Sequence, residues 1–205
     1  MFDVLVIGGG HAGVEAAHAC HRLGLKCGLI THKKNTIGQM SCNPAIGGLG
    51  KSHIVKEIDA MGGIMAQATD MSGIQFRTLN TRKGPAVQAL RAQCDRDLYK
   101  QSIQSIINNS NIKVMEGEVI DLIVEKDNVM GVITDSLGAI KAKKTILTTG
   151  TFLNGILYTG DEKKSGGRVG DKPAIPLSQK LYDLKLPMGR LKTGTPATVS
   201  YTHLR

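Results

Sequence analysis

A glycine cluster near the amino terminus constrains the fold of this chain more than any other feature. Gly8, Gly10 and Gly13 fit the pattern GxGxxG. Residues 4–7, just before the cluster, are apolar and largely β-branched, which is typical of a strand buried on both faces of a parallel sheet. Residues 11–23, just after it, are rich in alanine and predict a helix. The cluster therefore forms the turn between a buried strand and a helix.

Residues 27–31 predict a second short strand, so the chain opens with strand, glycine turn, helix and strand, the entry unit of a Rossmann-type domain. In such a turn Gly8 permits the tight bend, Gly10 lets the backbone approach a pyrophosphate, and Gly13 lets the helix pack closely on the strand. The helix start offers unpaired N–H groups to the phosphates. Glu15, in the first turn, is expected to help cap this helix. The predicted dinucleotide-binding residues of the turn are Gly8, Gly9, Gly10, His11, Ala12 and Gly13.

The end of the second strand departs from the usual dinucleotide pattern. A carboxylate normally stands there and binds the ribose hydroxyls, whereas this chain has Thr31 and His32. A hydroxyl or an imidazole makes a weaker and less selective ribose contact than a carboxylate, which argues against a generic NAD dehydrogenase. We expect Thr31 and His32 to contact the ribose of the cofactor instead.

Downstream, the period of the apolar residues changes to two between 112 and 149. The chain predicts an antiparallel meander of short strands, at 113–115, 119–125, 129–134 and 140–142. A buried strand over 145–149 then ends at Gly150. A meander placed before a strand that rejoins the main sheet is typical of FAD-binding flavoproteins, so FAD is the predicted cofactor. Val119 and Gly150 complete the predicted cofactor-binding set.

The predicted fold class is α/β, with a glutathione-reductase-like FAD-binding domain over residues 1–150 that includes the meander at about 112–142. Two further helices are predicted, over 54–61 and over 86–107. Residues 151–205 are expected to continue this domain and to begin an inserted second domain. No closing helix or strand is predicted over the last residues, 200–205, so the chain is expected to be truncated.

The chain has 26 Lys and Arg residues against 17 Asp and Glu residues, a net charge of +9. This charge favours binding of polyanions such as nucleic acid, nucleotides or acidic lipid surfaces, and a soluble enzyme that is simply basic is the alternative. Aromatic residues make up only 3%, so RNA contacts are expected to be mainly with phosphates. Two basic clusters stand out, one of Arg77, Arg82, Lys83, Arg91 and Arg96 and one of Lys163, Lys164 and Arg168. A third candidate anion cradle spans 189–196.

The four cysteines lack metal-ligand spacing and disulfide density, so no metal site is predicted and a reducing cytoplasm is expected. No targeting segment or membrane span is evident. Cys42 differs from the others because it lies in a polar, glycine-rich loop, 38–51, ahead of Lys51. Such surroundings favour a reactive thiol, although a buried free cysteine is the commoner case. A phosphate-binding P-loop is rejected because Ala45 stands where its first glycine is required.

Six segments carry a family resemblance: GGGHAG at 8–13, GQMSCNPAIGG at 38–48, GIQFR at 73–77, KGPAV at 83–87, SGGR at 165–168 and GRLKTGTP at 189–196. Together they resemble the glucose-inhibited division protein A family, the large subunit of the enzyme that makes 5-carboxymethylaminomethyl uridine in tRNA. The resemblance covers about residues 2–196.

This resemblance implies an FAD enzyme that works with a GTPase partner at C5 of the wobble uridine. It also implies a folate one-carbon donor, NADH as reductant, glycine or ammonium, and a homodimer. Cys42 becomes the candidate nucleophile for addition to uracil C6, and another cysteine of the family, beyond this chain, is the alternative. Two rival functions are a folate- and FAD-dependent tRNA uracil-5-methyltransferase and a non-catalytic nucleotide- or RNA-binding module.

Overall fold

The computed structural model describes residues 1–41 and 43–190. The chain divides into two compact units, Met1–Gly150 and Thr151–Arg205. None of the described helices is both long and apolar enough to cross a membrane.

The first unit contains nine strands and four helices among its described residues. In chain order they are β1 (Phe2–Ile7), α1 (His11–Arg22), β2 (Cys27–Thr31), β3 (Ala45–Gly47), α2 (Lys51–Ala60), α3 (Met65–Ser72), β4 (Gly73–Leu79), β5 (Ala89–Cys94), α4 (Arg96–Asn108), β6 (Lys113–Glu116), β7 (Val119–Glu125), β8 (Asn128–Thr134) and β9 (Gly138–Leu147). Short 3₁₀ turns lie at Lys34–Thr36 and Pro85–Val87.

Six strands form the main sheet, in the order β6-β2-β1-β9-β8-β7. The first four are mutually parallel, and β7, β8 and β9 are joined as an antiparallel meander. Strand β9 belongs to both arrangements, because Lys141 pairs with Gly131 of β8 and Leu147 pairs with Ile7 of β1. The predicted α/β Rossmann-type fold with a meander is confirmed.

Two strand assignments within this sheet were wrong. Residues 113–115, predicted to open the meander, pair in parallel with β2, where Val114 lies opposite Leu29. Residues 140–142 and 145–149, predicted as separate strands, belong largely to the single strand β9. Both errors have the same cause, because alternation along a strand reports which faces are buried and not which partner accepts its hydrogen bonds.

The apolar core of the unit lies between one face of β1 and β2 and the helices α1, α3 and α4. Val6, Leu29 and Ile103 are fully buried there, and Tyr99 packs among them. Ala92 and Cys94 of β5 join the same cluster. The two central strands therefore have the continuous apolar sequence that a sheet covered on its faces requires.

The helix predicted over 86–107 was wrong in its first half. Residues 89–94 form β5, the central strand of a three-stranded antiparallel sheet in the order β3-β5-β4. Ala89 and Ala92 are buried three positions apart, a spacing that imitates a helix face. The helix begins only at Arg96, because Asp95 is its N-cap and accepts hydrogen bonds from the backbone N–H of Asp97 and of Leu98, both at 2.9 Å.

The second unit contains an antiparallel hairpin and one helix in its described part. The elements are β10 (Ile156–Thr159), β11 (Glu162–Ser165) and α5 (Ile175–Asp183). Ala174, Leu177 and Leu181 are buried. Gly167 packs on the Phe152 ring so closely that a Cβ there would lie 2.3 Å from the ring. From residue 191 onward, the predicted anion cradle lies outside the described residues.

Candidate dinucleotide-binding site

The glycine turn joins β1 to α1 at the edge where the four parallel strands all end. Gly8 has a φ of +113°, and a Cβ there would lie 2.3 Å from the carbonyl oxygen of Thr148. Its N–H donates to the carbonyl of Ile30 at 2.8 Å, which ties the turn to β2. Only glycine satisfies both the backbone conformation and this close approach.

Gly13 permits the closest contact in the turn. A Cβ at this position would lie 1.7 Å from the carbonyl oxygen of Gly8, an overlap with backbone that no side-chain rotation can relieve. Helix α1 therefore packs directly on the strand that precedes it. This is the role that the spacing of the motif predicts for its third glycine.

Gly10 has free space where a side chain would lie, whereas Gly8 and Gly13 do not. It has an ordinary extended backbone, φ −77° and ψ −173°, and a Cβ there would meet no heavy atom within 4 Å. It is also the N-cap of α1, without a side-chain hydrogen bond and without an acidic residue in the first helical turn. The first N–H groups of a helix have no intrahelical acceptor, so this end of α1 has the open backbone and partial positive charge that suit a pyrophosphate.

His11 and Ala12 open the helix after Gly10. The imidazole of His11 packs edge-on against the Tyr99 ring, with the centroids 5.7 Å apart. Ala12 is exposed. Both residues therefore bring a backbone N–H group to the start of the helix, and the His11 ring contributes packing.

Thr31 and His32 lie at the end of β2, beside the turn. Thr31 is buried, and its hydroxyl oxygen would lie 2.9 Å from a Cβ placed on Gly9. His32 is exposed. The Thr31 carbonyl accepts from the N–H of Gly117 at 3.0 Å, which brings the segment after β6 to the same edge.

Val119 begins β7, two residues after Gly117, and Gly150 follows β9, two residues after Thr148. The Val119 side chain is 3% exposed and packs in the core, so its backbone is the part that remains for a ligand. Gly150 has a φ of +58° and nothing within 4 Å of a Cβ position. The glycine turn, the end of β2 and the residues after β9 thus meet at the carboxyl edge of the parallel strands.

Two side chains that order this edge were missed in the sequence. The Thr148 hydroxyl donates toward the carbonyls of Ile7 at 2.8 Å and Gly8 at 3.1 Å, so it anchors the glycine turn to β9. The Glu116 carboxylate accepts from the backbone N–H of Lys34 at 2.8 Å and orders the chain after His32. No local pattern marks either residue, because each partner lies more than 80 positions away.

Glu15 does not cap its own helix, contrary to the sequence-based expectation. Its carboxylate accepts from the backbone N–H of Met65 at 2.7 Å and of Ile64 at 3.0 Å, at the start of α3. The side chain lies beyond the first turn of α1 and reaches the free N–H groups of a different helix. This leaves the N–H groups of α1 without a competing carboxylate.

A hydrogen bond and close packing hold the first residue of the loop that is predicted to contain a reactive thiol. The Gly38 N–H donates to the carbonyl of Gly9 at 3.0 Å, and a Cβ at Gly38 would lie 2.7 Å from Ile103 of α4. Gln104 donates to the carbonyl of Asn35 at 3.1 Å. Cys42, the predicted catalytic residue, lies outside the described residues.

The three described cysteines are all buried and free. Burial raises the pKa of the Cys27 thiol to about 12, and it also raises the pKa of the Cys94 thiol. Thiols held protonated in this way are poor nucleophiles. Among the described residues, no group of three or more His, Cys, Asp or Glu side chains is placed to hold a metal ion.

A family model for glucose-inhibited division protein A matches residues 3–203. The chain belongs to this family. It is 49% identical to GidA of Aquifex aeolicus, whose structures in two crystal forms each superpose with a TM-score of 0.86 over 91% of this chain. The match covers 31% of the Aquifex chain, so this chain spans about a third of that relative.

More distant structures share the fold alone. The GidA-related protein from Thermus thermophilus is 18% identical, with a TM-score of 0.65 over 89% of this chain and 68% of its own. The Diels-Alderase PyrE3 is 16% identical, with a TM-score of 0.55 over 72% of this chain and 32% of its own. The glycine turn and meander of this glucose-inhibited division protein A family member therefore belong to a fold that occurs well beyond the family.

Proposed function

We propose that this chain is the FAD-binding part of a flavin-dependent enzyme that modifies tRNA. The observation that carries the cofactor assignment is the contrast within the glycine turn, where Gly8 and Gly13 are enclosed and Gly10 is open beside an uncapped helix start. A turn that needed glycine only for packing would have no reason to leave Gly10 open. A phosphate that approaches the backbone at this point provides that reason.

The described residues suit FAD in distinct ways. Gly8, Gly9 and Gly13 shape the turn, the backbone N–H groups at Gly10, His11 and Ala12 bind the pyrophosphate, Thr31 and His32 contact the ribose, and Val119 and Gly150 contact the remainder of the cofactor through their backbone. When bound, FAD supplies reversible hydride transfer, with NADH as the proposed reductant. The protein contributes position and a positive helix end.

The proposed substrate position is C5 of the wobble uridine, where a carboxymethylaminomethyl or aminomethyl group is added. Family membership and the net charge of +9 support a tRNA substrate. The proposed partners are a GTPase subunit, a folate one-carbon donor and a second copy of the chain, in the cytoplasm. Each is what the family resemblance implies for the whole enzyme, of which this chain spans a part.

Cys42 is the proposed nucleophile, and this rests on the sequence alone. Uracil C5 is a weak nucleophile. Addition of the Cys42 thiolate to C6 forms a sulfur–carbon bond and moves the electron pair of the C5–C6 double bond into an enolate that includes C5. C5 then attacks the methylene carbon of the folate donor, bound as an iminium, and the carbon–nitrogen π electrons move to the folate nitrogen. Glycine or ammonium takes the place of that nitrogen on the methylene carbon, and the folate leaves. Loss of the C5 proton and departure of the thiolate restore the C5–C6 double bond.

Gly10→Ser tests the cofactor assignment with little risk to the fold. Serine is a good N-cap, and its side chain meets no protein atom at this position, so the melting temperature should stay unchanged or rise slightly. FAD affinity, measured by titration with flavin fluorescence, should fall about tenfold or more, which corresponds to about 1.4 kcal/mol. The matched control is Gly84→Ser, at another open position with an ordinary φ of −62°.

Unchanged FAD affinity in Gly10→Ser would reject this site. The chemistry is tested separately by mass analysis of tRNA from cells that carry Cys42→Ser. We expect the wobble modification to disappear while FAD affinity stays unchanged. Persistence of the modification would remove Cys42 from the mechanism, and a methyl group in place of an aminomethyl group would favour the methyltransferase.

A further inference from the structure

The hairpin of β4 and β5 has an unusual distribution of charge. Between Asp70 and Asp95 the chain contains no acidic residue. The same stretch contains the four cations Arg77, Arg82, Lys83 and Arg91. A segment with this composition has no local means of neutralising its positive charge.

The strand register brings two of these cations together. Arg77 of β4 lies directly opposite Arg91 of β5, in an antiparallel pair whose Cβ atoms are typically about 4.5–5.5 Å apart. The pair Gln75 and Gln93, two positions along, lies on the same face. We call these four residues the Arg77–Arg91 face.

Strand β3 extends this face on the other side of β5 with small residues. Gly47 lies opposite Arg91, and Ala45 lies opposite Gln93. Arg77 is exposed, on the edge strand of the sheet, and Arg91 is partly exposed. The face therefore presents two guanidinium groups and two amides, with no bulky neighbour at the paired positions of β3.

Like charges placed directly opposite each other destabilise a sheet. Within the part of the chain that the structure describes, neither Arg77 nor Arg91 forms an ion pair with a carboxylate. Two facing cations without a carboxylate partner destabilise the fold. A destabilising arrangement that nothing in the fold compensates is characteristic of a functional surface. The ligand that relieves the repulsion is an anion, and guanidinium groups bind phosphate oxygens in a bidentate manner.

We propose that the Arg77–Arg91 face binds the phosphodiester backbone of RNA. This rests on the proposed tRNA substrate and assigns a specific contact surface to it. An extended polyanion fits better than the dinucleotide, because the cations continue from the exposed edge strand into the turn at 80–84, where Arg82 and Lys83 are also exposed. The dinucleotide already has the N–H groups of the glycine turn for its pyrophosphate.

The test is the affinity of the chain for tRNA, measured by fluorescence anisotropy at several salt concentrations. The double variant Arg77→Gln with Arg91→Gln should bind at least tenfold more weakly at about 0.1 M salt. The slope of log affinity against log salt should fall in magnitude by about two, roughly one for each lost phosphate contact. The matched control, Lys113→Gln with Lys141→Gln, removes the same charge from exposed positions of the main sheet and should change the affinity less than threefold.

A single charge reversal separates binding from folding. Arg77→Glu places a carboxylate opposite Arg91, so the repulsive pair becomes an attractive one and the melting temperature should rise. RNA affinity should nevertheless fall at least tenfold. A variant that is more stable and binds less RNA excludes misfolding as the cause.

FAD titration of the same variants distinguishes the two proposals. Unchanged FAD affinity with weakened RNA binding supports the Arg77–Arg91 face as an RNA surface, and this holds even if Gly10→Ser has no effect on FAD. Equal RNA affinity in the arginine variants and the lysine control overturns the inference and leaves the cofactor proposal intact. Absence of tRNA binding by the unaltered chain, or a parallel loss of FAD and RNA affinity in the arginine variants, also overturns it.

Discussion

The two sheets of the first unit differ in what holds them together. In the six-stranded sheet, Leu5, Val6 and Leu29 of the central strands are completely buried. In the three-stranded sheet, Phe76 is 59% exposed and Leu90 is 50% exposed, although Leu90 belongs to the central strand. The first sheet contributes large apolar side chains to the core, whereas the second contributes only a few small residues of β5 and depends more on its hydrogen-bond ladder. Burial of apolar side chains therefore stabilises the first sheet, and the second sheet keeps exposed surface that a ligand can contact.

The largest expected effect lies at the glycine turn of the six-stranded sheet. Gly13→Ala would force a Cβ to within 1.7 Å of the Gly8 carbonyl oxygen, and backbone on both sides must move. We expect a loss of about 4 kcal/mol or more in the free energy of unfolding, measured by urea denaturation. Gly84→Ala is the control, with φ −62° and no neighbour within 4 Å, and should be neutral or slightly stabilising.

A small effect of Gly13→Ala would mean that α1 can move away from β1, and the first sheet would then be less constrained than its packing indicates.

A matched pair of leucines compares the two sheets directly. Leu29→Ala, at a fully buried position of β2, should cost about 3 kcal/mol through lost burial and a residual cavity. Leu90→Ala, at a half-exposed position of β5, should cost less than about 1 kcal/mol. Chemical denaturation of both variants under one set of conditions gives the comparison. Equal costs would show that the three-stranded sheet has a core of its own.

The boundary between the three-stranded sheet and α4 depends on one side chain. Asp95→Ala removes the carboxylate that accepts from the N–H groups of Asp97 and Leu98, and we expect a cost of about 1 kcal/mol. Asp95→Asn, which retains an acceptor, should recover most of the loss. Thermal unfolding followed by circular dichroism measures both, and an equal loss in the two variants would assign the effect to charge and not to capping.

The smallest expected effect is a pH dependence from α1, which packs on the six-stranded sheet. Burial, with the nearby charge of His21, lowers the pKa of His18 from its ordinary value of 6.5. The unfolded chain therefore takes up a proton at a higher pH than the folded chain, and stability falls as the pH drops below about 6.5. In His18→Gln the melting temperature should fall less between pH 7.5 and pH 5.5 than in the unaltered chain. An identical fall would exclude His18.

The edge that carries the glycine turn was more predictable than the three-stranded sheet. The glycine turn is a local motif, so Gly8, Gly10 and Gly13 could be assigned from spacing alone. Thr148 and Glu116 could not, because each acts on backbone groups far away in the chain. The failed helix over residues 86–95 has a related cause, since Ala89 and Ala92 fit a helical spacing and only pairing with β3 and β4 makes the segment a strand.

The sequence by itself determined the family, the Rossmann-type entry unit and the three glycines of the turn, because each is marked by a short local pattern of residues. Tertiary structure alone decided which strands pair, that Glu15 caps α3, and that Arg77 faces Arg91. The physical reason is that packing decides which distant segments share hydrogen bonds and which charged side chains lie close together. The apolar periodicity within one segment does not identify its partner.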